Sequence, residues 1–182
     1  MSSPLRISIP KANLATATRL ADLGRQTFSE TFAATNTPAD MAAYLATAYS
    51  PELQLAQLQD PAATYLLAEM QGQAVGYALL AQHSTLGLAP EANARQLEIK
   101  QLYIVEDWIG TGLGKALMRR ALDIAQADNC TAVVLGVWEH NERAKAFYQR
   151  FGFREVGEME FKLGDDVQRD LIYRKGLAGR AG

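Results

Sequence analysis

The stretch "IGTGLGKA", residues 109–116, places Gly110, Gly112 and Gly114 within five positions and follows them with Lys115. Before it runs the β-like "LYIV" (102–105). After it comes "LGKALMRRALDIAQA" (113–127), a helical pattern. In that pattern Leu113, Leu117, Ala121 and Ile124 fall on one face, and Lys115, Arg119, Asp123 and Gln126 form the opposite stripe. A strand that feeds a helix through glycines makes an anion site. The first helical N–H groups have no intrahelical acceptor, the helix dipole favours negative charge there, and glycine permits both positive φ and close backbone approach.

Spacing separates the possible anion loops. A Walker A loop, G-x-x-x-x-G-K-[ST], counted back from Gly114 and Lys115, needs glycine at 109 and a hydroxyl at 116; Ile109 and Ala116 stand there. The dinucleotide fingerprint G-x-G-x-x-G ends on Lys115 if it starts at Gly110, and on Leu117 if it starts at Gly112. Neither fits. A plain tight turn from strand to helix is the remaining bland alternative.

Outward from the loop, the chain reads as one domain over residues 1–182, 48% apolar and 21% charged, long enough to bury a core without staples. A net charge of −2 gives no bulk attraction to nucleic acid or to an anionic membrane. Cys130 is the single cysteine, so no internal disulfide can form, which suits a reducing compartment. The first residues contain no signal-like apolar run and no spanning segment, so a cytoplasmic location is expected.

"LRISI" (5–9) alternates as a strand, and Lys11 to about Ala33 reads as a helix. Thr37 and Pro38 cap a second helix, and Ser50-Pro51 opens a third helical run toward Leu58. "TYLLAEM" and "AVGYALLAQ" form a hairpin, 84–93 is a loop, and "RQLEIKQLYIV" (95–105) is a long strand. "TAVVLGVW" (131–138) is an apolar central strand, Asn141 to Phe151 a short helix stopped by Gly152, and two strands close the chain.

"NERAKAFYQRFGF" (141–153) sets Ala144, Phe147, Tyr148 and Phe151 on one helical face, with Asn141 as a cap. As a structural element it is a short core helix. It also resembles N-x-x-A-x-x-[FL]-Y-x-x-x-G-F of the GCN5-related N-acetyltransferases (GNAT), matching at Asn141, Ala144, Phe147, Tyr148, Gly152 and Phe153. The glycine loop resembles the same family's [QR]-x-x-G-x-[GA] at Gly112 and Gly114, with Ile109 where Gln or Arg is usual. The resemblance covers residues 63–175 well and the N-terminal helices more loosely.

The resemblance implies an α/β (α+β) fold: a mixed, mostly antiparallel twisted sheet of six to seven strands, the fourth and fifth splayed, flanked by about four helices. It implies acetyl-CoA as cosubstrate. Its pantetheine would run along Leu102, Tyr103, Ile104 and Val105, and its pyrophosphate would sit on Gly110, Thr111, Gly112, Leu113, Gly114 and Lys115. Asn141, Ala144, Phe147 and Tyr148 would lie against the remainder.

Amide formation needs a neutral amine, a stabilised oxyanion and a tolerated thiolate. The motif match makes Tyr148 the acid beside the thiolate; a buried tyrosine bonded to a backbone carbonyl is the alternative. For the base, Glu98 on the fourth strand is the candidate, with a simple pairing to Lys100 as its alternative and Glu139 as second choice. Strict alternation sets Glu98, Lys100, Leu102 and Ile104 on one face, and Ile99, Gln101, Tyr103 and Val105 on the other. An N–H between Tyr103 and Val105 would hold the oxyanion. An acetyl-enzyme on Cys130 is the lesser route. His83 and His140 lack ligand spacing, so no metal is expected.

"LEIKQLYIV", "LGVWEHNERAKAFYQRFGF" and "FKLGDDVQRDLIYRK" together look like the PaiA-type branch, which acetylates spermidine and spermine. The implied partner is a small amine, with Glu30, Asp40, Glu52, Tyr44 and Tyr49 in the block that would cover it. A protein amino terminus is the second substrate reading, and an acyl-CoA sensor without turnover is a reading from another class. Nucleic acid and membrane are not expected partners. Edge strands at the C-terminal end make a homodimer possible.

Overall fold

The computed structural model describes residues 5–84, 86–89 and 94–178, so the loop expected over 84–93 lies partly outside the described residues. The elements follow in chain order: β1 (Arg6–Ser8), α1 (Leu14–Phe32), α2 (Pro38–Ala48), α3 (Pro51–Gln59), β2 (Ala63–Met70), β3 (Gln73–Gln82), β4 (Gln96–Ile104), α4 (Leu113–Ala127), β5 (Ala132–Trp138), α5 (Glu142–Arg150), β6 (Arg154–Leu163) and β7 (Asp166–Gly176). Helix starts are set by caps. Asn13, Thr37, Ser50 and Asn141 each accept a bond from the third residue on, and Pro38 and Pro51 occupy first-turn positions where a missing N–H costs nothing. The Asn13 cap moves the start of α1 to Leu14, three residues later than the pattern from Lys11 suggests.

Among the described residues seven strands form one sheet in the order β1-β2-β3-β4-β5-β7-β6. Every neighbouring pair is antiparallel except β4 and β5. The five α-helices divide between its faces. Leu117, Met118, Ala121 and Ala125 of α4 pack with Leu66, Leu80, Leu97 and Ile99 on one side. Leu20 and Leu23 of α1 cover Tyr65, Leu67, Tyr77 and Leu79 on the other. A third cluster joins Phe28 and Phe32 of α1 to Met41, Tyr49 and Leu163.

Two features of β4 create the functional cleft. Its parallel pairing with β5 lasts for Gln96–Ala132, Leu97–Val133 and Glu98–Val134, and then the strands part. Against β3 the register jumps: Leu80 faces Ile99 while Leu79 faces Gln101, so Lys100 is an extra residue in a bulge. A bulge bends its strand and reverses the parity of the residues beyond it. The strict alternation expected from sequence is corrected accordingly. Ile99, Leu102 and Ile104 join the α4 core, and Tyr103 and Val105 join the α1 side. Glu98, opposite Ala81, stays on the α1 side with Tyr103.

Candidate active site

Where β4 and β5 diverge, a cavity of about 540 Å³ opens. Ile99–Ile104 of β4 form one wall and Gly136–Trp138 of β5 the other. Val105 N donates to Val75 O, which turns that residue toward β3. Strand alternation therefore turns the N–H groups of Ile104 and Leu102 toward the split, where β5 no longer meets them. A strand edge without a partner is a place for an extended ligand to bond.

At one end of the cleft lies the glycine loop. Gly110 (φ +84°) and Gly112 (φ +92°) occupy left-handed backbone that other residues adopt only at a cost. Gly112 is also the N-cap of α4, and having no side chain it leaves the first amides uncapped. No acidic residue occupies that first turn. Gly114 instead provides clearance. A Cβ there would come within 3.2 Å of Ile104 Cδ1 and 3.5 Å of Phe147 Cε2, so its absence lets α4 approach β4 and α5. Lys115 also lines the cleft, as do Arg143 and Arg150 of α5. Bare amides and three cations suit a multiply charged phosphate.

The helix α5 supplies the floor. Asn141, Ala144, Phe147 and Tyr148 all line the cleft. Asn141 Oδ1 caps Ala144 N at 3.1 Å, which leaves its Nδ2 as a donor. The Tyr148 ring is buried, and burial pushes its phenol up to about 12. Its hydroxyl makes no hydrogen bond to any described residue, so the backbone-carbonyl alternative is absent. Of the remaining residues expected at the cofactor, Leu102, Tyr103, Ile104, Gly110, Gly112, Gly114 and Lys115 line the cleft. Thr111 turns its hydroxyl back to Trp108 O, Leu113 packs into the α4 core, and Val105 packs on the α1 side.

The acid–base candidates separate. Glu98 is buried in the part of β4 still paired to β5, and it is not among the cleft-lining residues. Glu139 is held by Arg169 at 2.5 Å, whose hydrogen bond keeps its carboxyl below the usual range; it opens on a neighbouring pocket. Cys130 is buried at the entry to β5, outside the cleft, and burial raises its thiol, which disfavours a nucleophilic thiolate. Glu30 bonds Glu106 N, Asp40 bonds Thr37 and Asp165 N, and Glu52 lies in the first turn of α3. Tyr49 is core, whereas Tyr44 does line the cleft. Among the described residues no group of three or more His, Cys, Asp or Glu is arranged to hold a metal ion.

Residues 26–153 match the acetyltransferase (GNAT) family. The chain belongs to the GNAT family of acetyltransferases. An uncharacterized N-acetyltransferase of the pepI 3' region of Lactobacillus delbrueckii subsp. lactis is 32% identical over 155 residues, 85% of this chain and 88% of its own length. The spermine/spermidine N(1)-acetyltransferase of Bacillus subtilis is 33% identical over 97 residues, 50% of this chain and 59% of its own. In shape, the PaiA N-acetyltransferase of Thermoplasma acidophilum in complex with coenzyme A superposes with a TM-score of 0.78 at 17% identity, over 96% of this chain and all of that one. This GNAT chain is thus an acyltransferase.

The acetyltransferase cleft also holds residues that sequence reasoning passed over. Phe28, Phe32, Trp138 and Phe161 line its far end, and Asp170 of β7 lies among them. Asp170 faces Trp138 on β5 and Met159 on β6, and burial raises its carboxyl to about 6. The signal was present only as the last residue of "LGDDVQRD"; the pairing that brings it beside β5 comes from the sheet order.

Proposed function

We propose that this acetyltransferase moves an acetyl group from acetyl-CoA to a primary amine of the polyamine class, by direct attack in a ternary complex. The observation that carries the reading is the split between β4 and β5, which runs from an uncapped helix start to a buried phenol. Leu102 and Ile104 offer backbone groups to an amide-bearing arm, the Gly110–Lys115 loop offers amides to a diphosphate, and Asn141 Nδ2 offers a further donor. Acetyl-CoA supplies the acyl carbon activated as a thioester. We assign the oxyanion to Ile104 N–H, the free donor of the Tyr103–Val105 stretch.

Tyr148 stays protonated throughout the working pH range because its phenol is near 12. Full transfer from that phenol to a thiolate of about 8.5 is uphill by ~5 kcal/mol, so its role is to donate a hydrogen bond as the thiolate forms. For Glu98 to accept the amine proton, a chain of water must link it to the cleft, because its side chain is not part of the lining.

The aromatic far end supports a cationic amine. Phe28 stacks on Tyr44 at 4.4 Å, Phe32 meets Trp138 at 5.9 Å, and Tyr44 meets Phe161 at 5.5 Å. Such rings accommodate methylenes and favour ammonium groups. The Bacillus subtilis relative's name points the same way. Two copies would pair through the free edge of β6; a concentration-independent monomer in sedimentation would exclude that. Incubation with acetyl-CoA and a panel of polyamines, peptides and amino sugars, read by thiol release, tests the function. Release with spermidine is the expected result, and coenzyme A binding without release from any amine would make the protein a sensor.

A further inference from the structure

We propose that Asp170 receives the substrate ammonium in the cleft and takes its first proton. The inference rests on the acetyltransferase reading above and names the residue that reading leaves open. Asp170 lines the cleft from β7, and the missing side chain of Gly136 exposes it to the gap: a Cβ at 136 would sit 3.4 Å from Asp170 Oδ2. Among the described residues no hydrogen bond or ion pair engages the carboxylate. It is half-buried, lies across from Trp138 on β5 and within electrostatic reach of Tyr44, and shares the cleft wall with both.

The titratable groups closest in influence are phenols. Burial raises Tyr44 of α2 to about 12, and Asp170 adds to the rise. Tyr103 of β4 is held well above the ordinary range, first by burial, then by its neighbours Tyr49, Tyr44, Tyr148 and Asp170. Tyr103 thus senses both the phenol at the thiolate end and the carboxylate at the amine end. From β6 the facing groups are Met159 and Phe161, and from β7 itself Gln168; none is ionisable. The cations of the cleft, Lys100, Lys115, Arg143 and Arg150, form no ion pair with Asp170.

In the transfer step the ammonium gives one proton to the Asp170 carboxylate and becomes a neutral amine. Its lone pair forms the C–N bond to the acyl carbon, and the C–S bond then breaks. The second proton lost from nitrogen leaves with the thiol, which Tyr148 meets as thiolate, and Asp170 returns its proton to solvent. Burial holds the Asp170 carboxyl near 6, so it is mostly ionised at neutral pH and still basic enough to serve.

The test compares wild type, Asp170→Asn, Asp170→Glu and Glu98→Gln, with acetyl-CoA and spermidine, by thiol release from pH 5 to 9. With Asp170 as acceptor, wild-type kcat/KM for spermidine rises to about pH 6 and then levels, because carboxylate and ammonium together form the reactive pair. Asp170→Asn should lose ~100-fold or more at pH 7 and climb tenfold per pH unit without levelling, following the free amine. Asp170→Glu should recover part of the rate, and Glu98→Gln should keep the plateau. Coenzyme A affinity of Asp170→Asn within twofold of wild type shows that the variant is folded. A plateau retained in Asp170→Asn, or lost in Glu98→Gln, overturns the inference while leaving the acetyltransferase reading intact. If wild type releases thiol with no amine of the panel, the transferase reading itself falls. Calorimetry of spermidine on the coenzyme A complex then reads the docking alone, and equal affinity in Asp170→Asn overturns it.

Discussion

At Tyr148 the environment decides the chemistry. A phenol held near 12 by burial cannot act as a free acid at neutral pH, so the proposed role of Tyr148 is that of a desolvated hydrogen-bond donor to the thiolate. Tyr148→Phe should therefore lower kcat by ~10- to 100-fold, the worth of a hydrogen bond to a charged group. Its KM for acetyl-CoA should stay within about twofold, and the shape of the pH profile should not change; full activity in steady-state assays would remove Tyr148 from the reaction. Ile109 is a second decisive residue. It lines the cleft beside the glycine loop with a partly exposed apolar side chain, 37% accessible. Ile109→Arg adds a charge-assisted donor at an exposed position, worth ~1 kcal/mol, so coenzyme A should bind about fivefold tighter at low salt. Unaltered affinity in calorimetry would mean that no phosphate reaches that point. Single residues were only partly legible in the sequence. Asn141, Ala144, Phe147 and Tyr148 share a helical face, and periodicity reveals a helical face. Asp170 reaches the cleft only because β7 inserts between β5 and β6, which no local pattern encodes.

At the scale of elements, the start of α4 carries the cofactor reading and its glycines are not interchangeable. Gly110 and Gly112 supply positive φ, whereas Gly114 lets neighbouring elements close in. Gly112→Ala meets open space but puts a Cβ on left-handed backbone, at a cost of ~1–2 kcal/mol. Thermal denaturation should show a fall of a few degrees, together with weaker coenzyme A binding; an unchanged Tm and affinity would mean that the loop relaxes freely. The glycine loop and the element order were readable because strand runs, caps and breaks are local signals. The bulge at Lys100 was not. It reverses the parity of β4 halfway along, and an apolar-polar alternation read without it sends Leu102 and Ile104 to the wrong face. The bulge lies two residues beyond the last pair of β4 with β5, so the feature hidden from the pattern sits where the cleft begins.

Across the whole molecule, a sheet with one parallel pair at its centre brings into one gap the two features on which the proposal rests: an uncapped helix start and a carboxylate among aromatic rings. The carboxylate there opposes the stability of the fold. Asp170 ionises near 6 in the folded chain against about 3.9 when unfolded, so the native state holds its proton more tightly. Stability falls as pH rises through the window from about 4 to 6 and stays lower above it. Asp170→Asn should accordingly stabilise the protein at pH 7 by on the order of 1 kcal/mol, allowing for its partial exposure, or a Tm gain of ~2–4 °C. The gain should vanish near pH 4; destabilisation of equal size at both pH values would contradict it. The proposed mechanism depends on coenzyme A entering the split with its diphosphate at the mouth of α4. The most direct measurement is a ¹H–¹⁵N NMR titration of the backbone amides with coenzyme A. The resonances of Leu113, Gly114 and Lys115 should move first and furthest, with Leu102 and Ile104 following along β4. Saturation of coenzyme A binding with those amides unmoved would contradict that placement and the mechanism built on it.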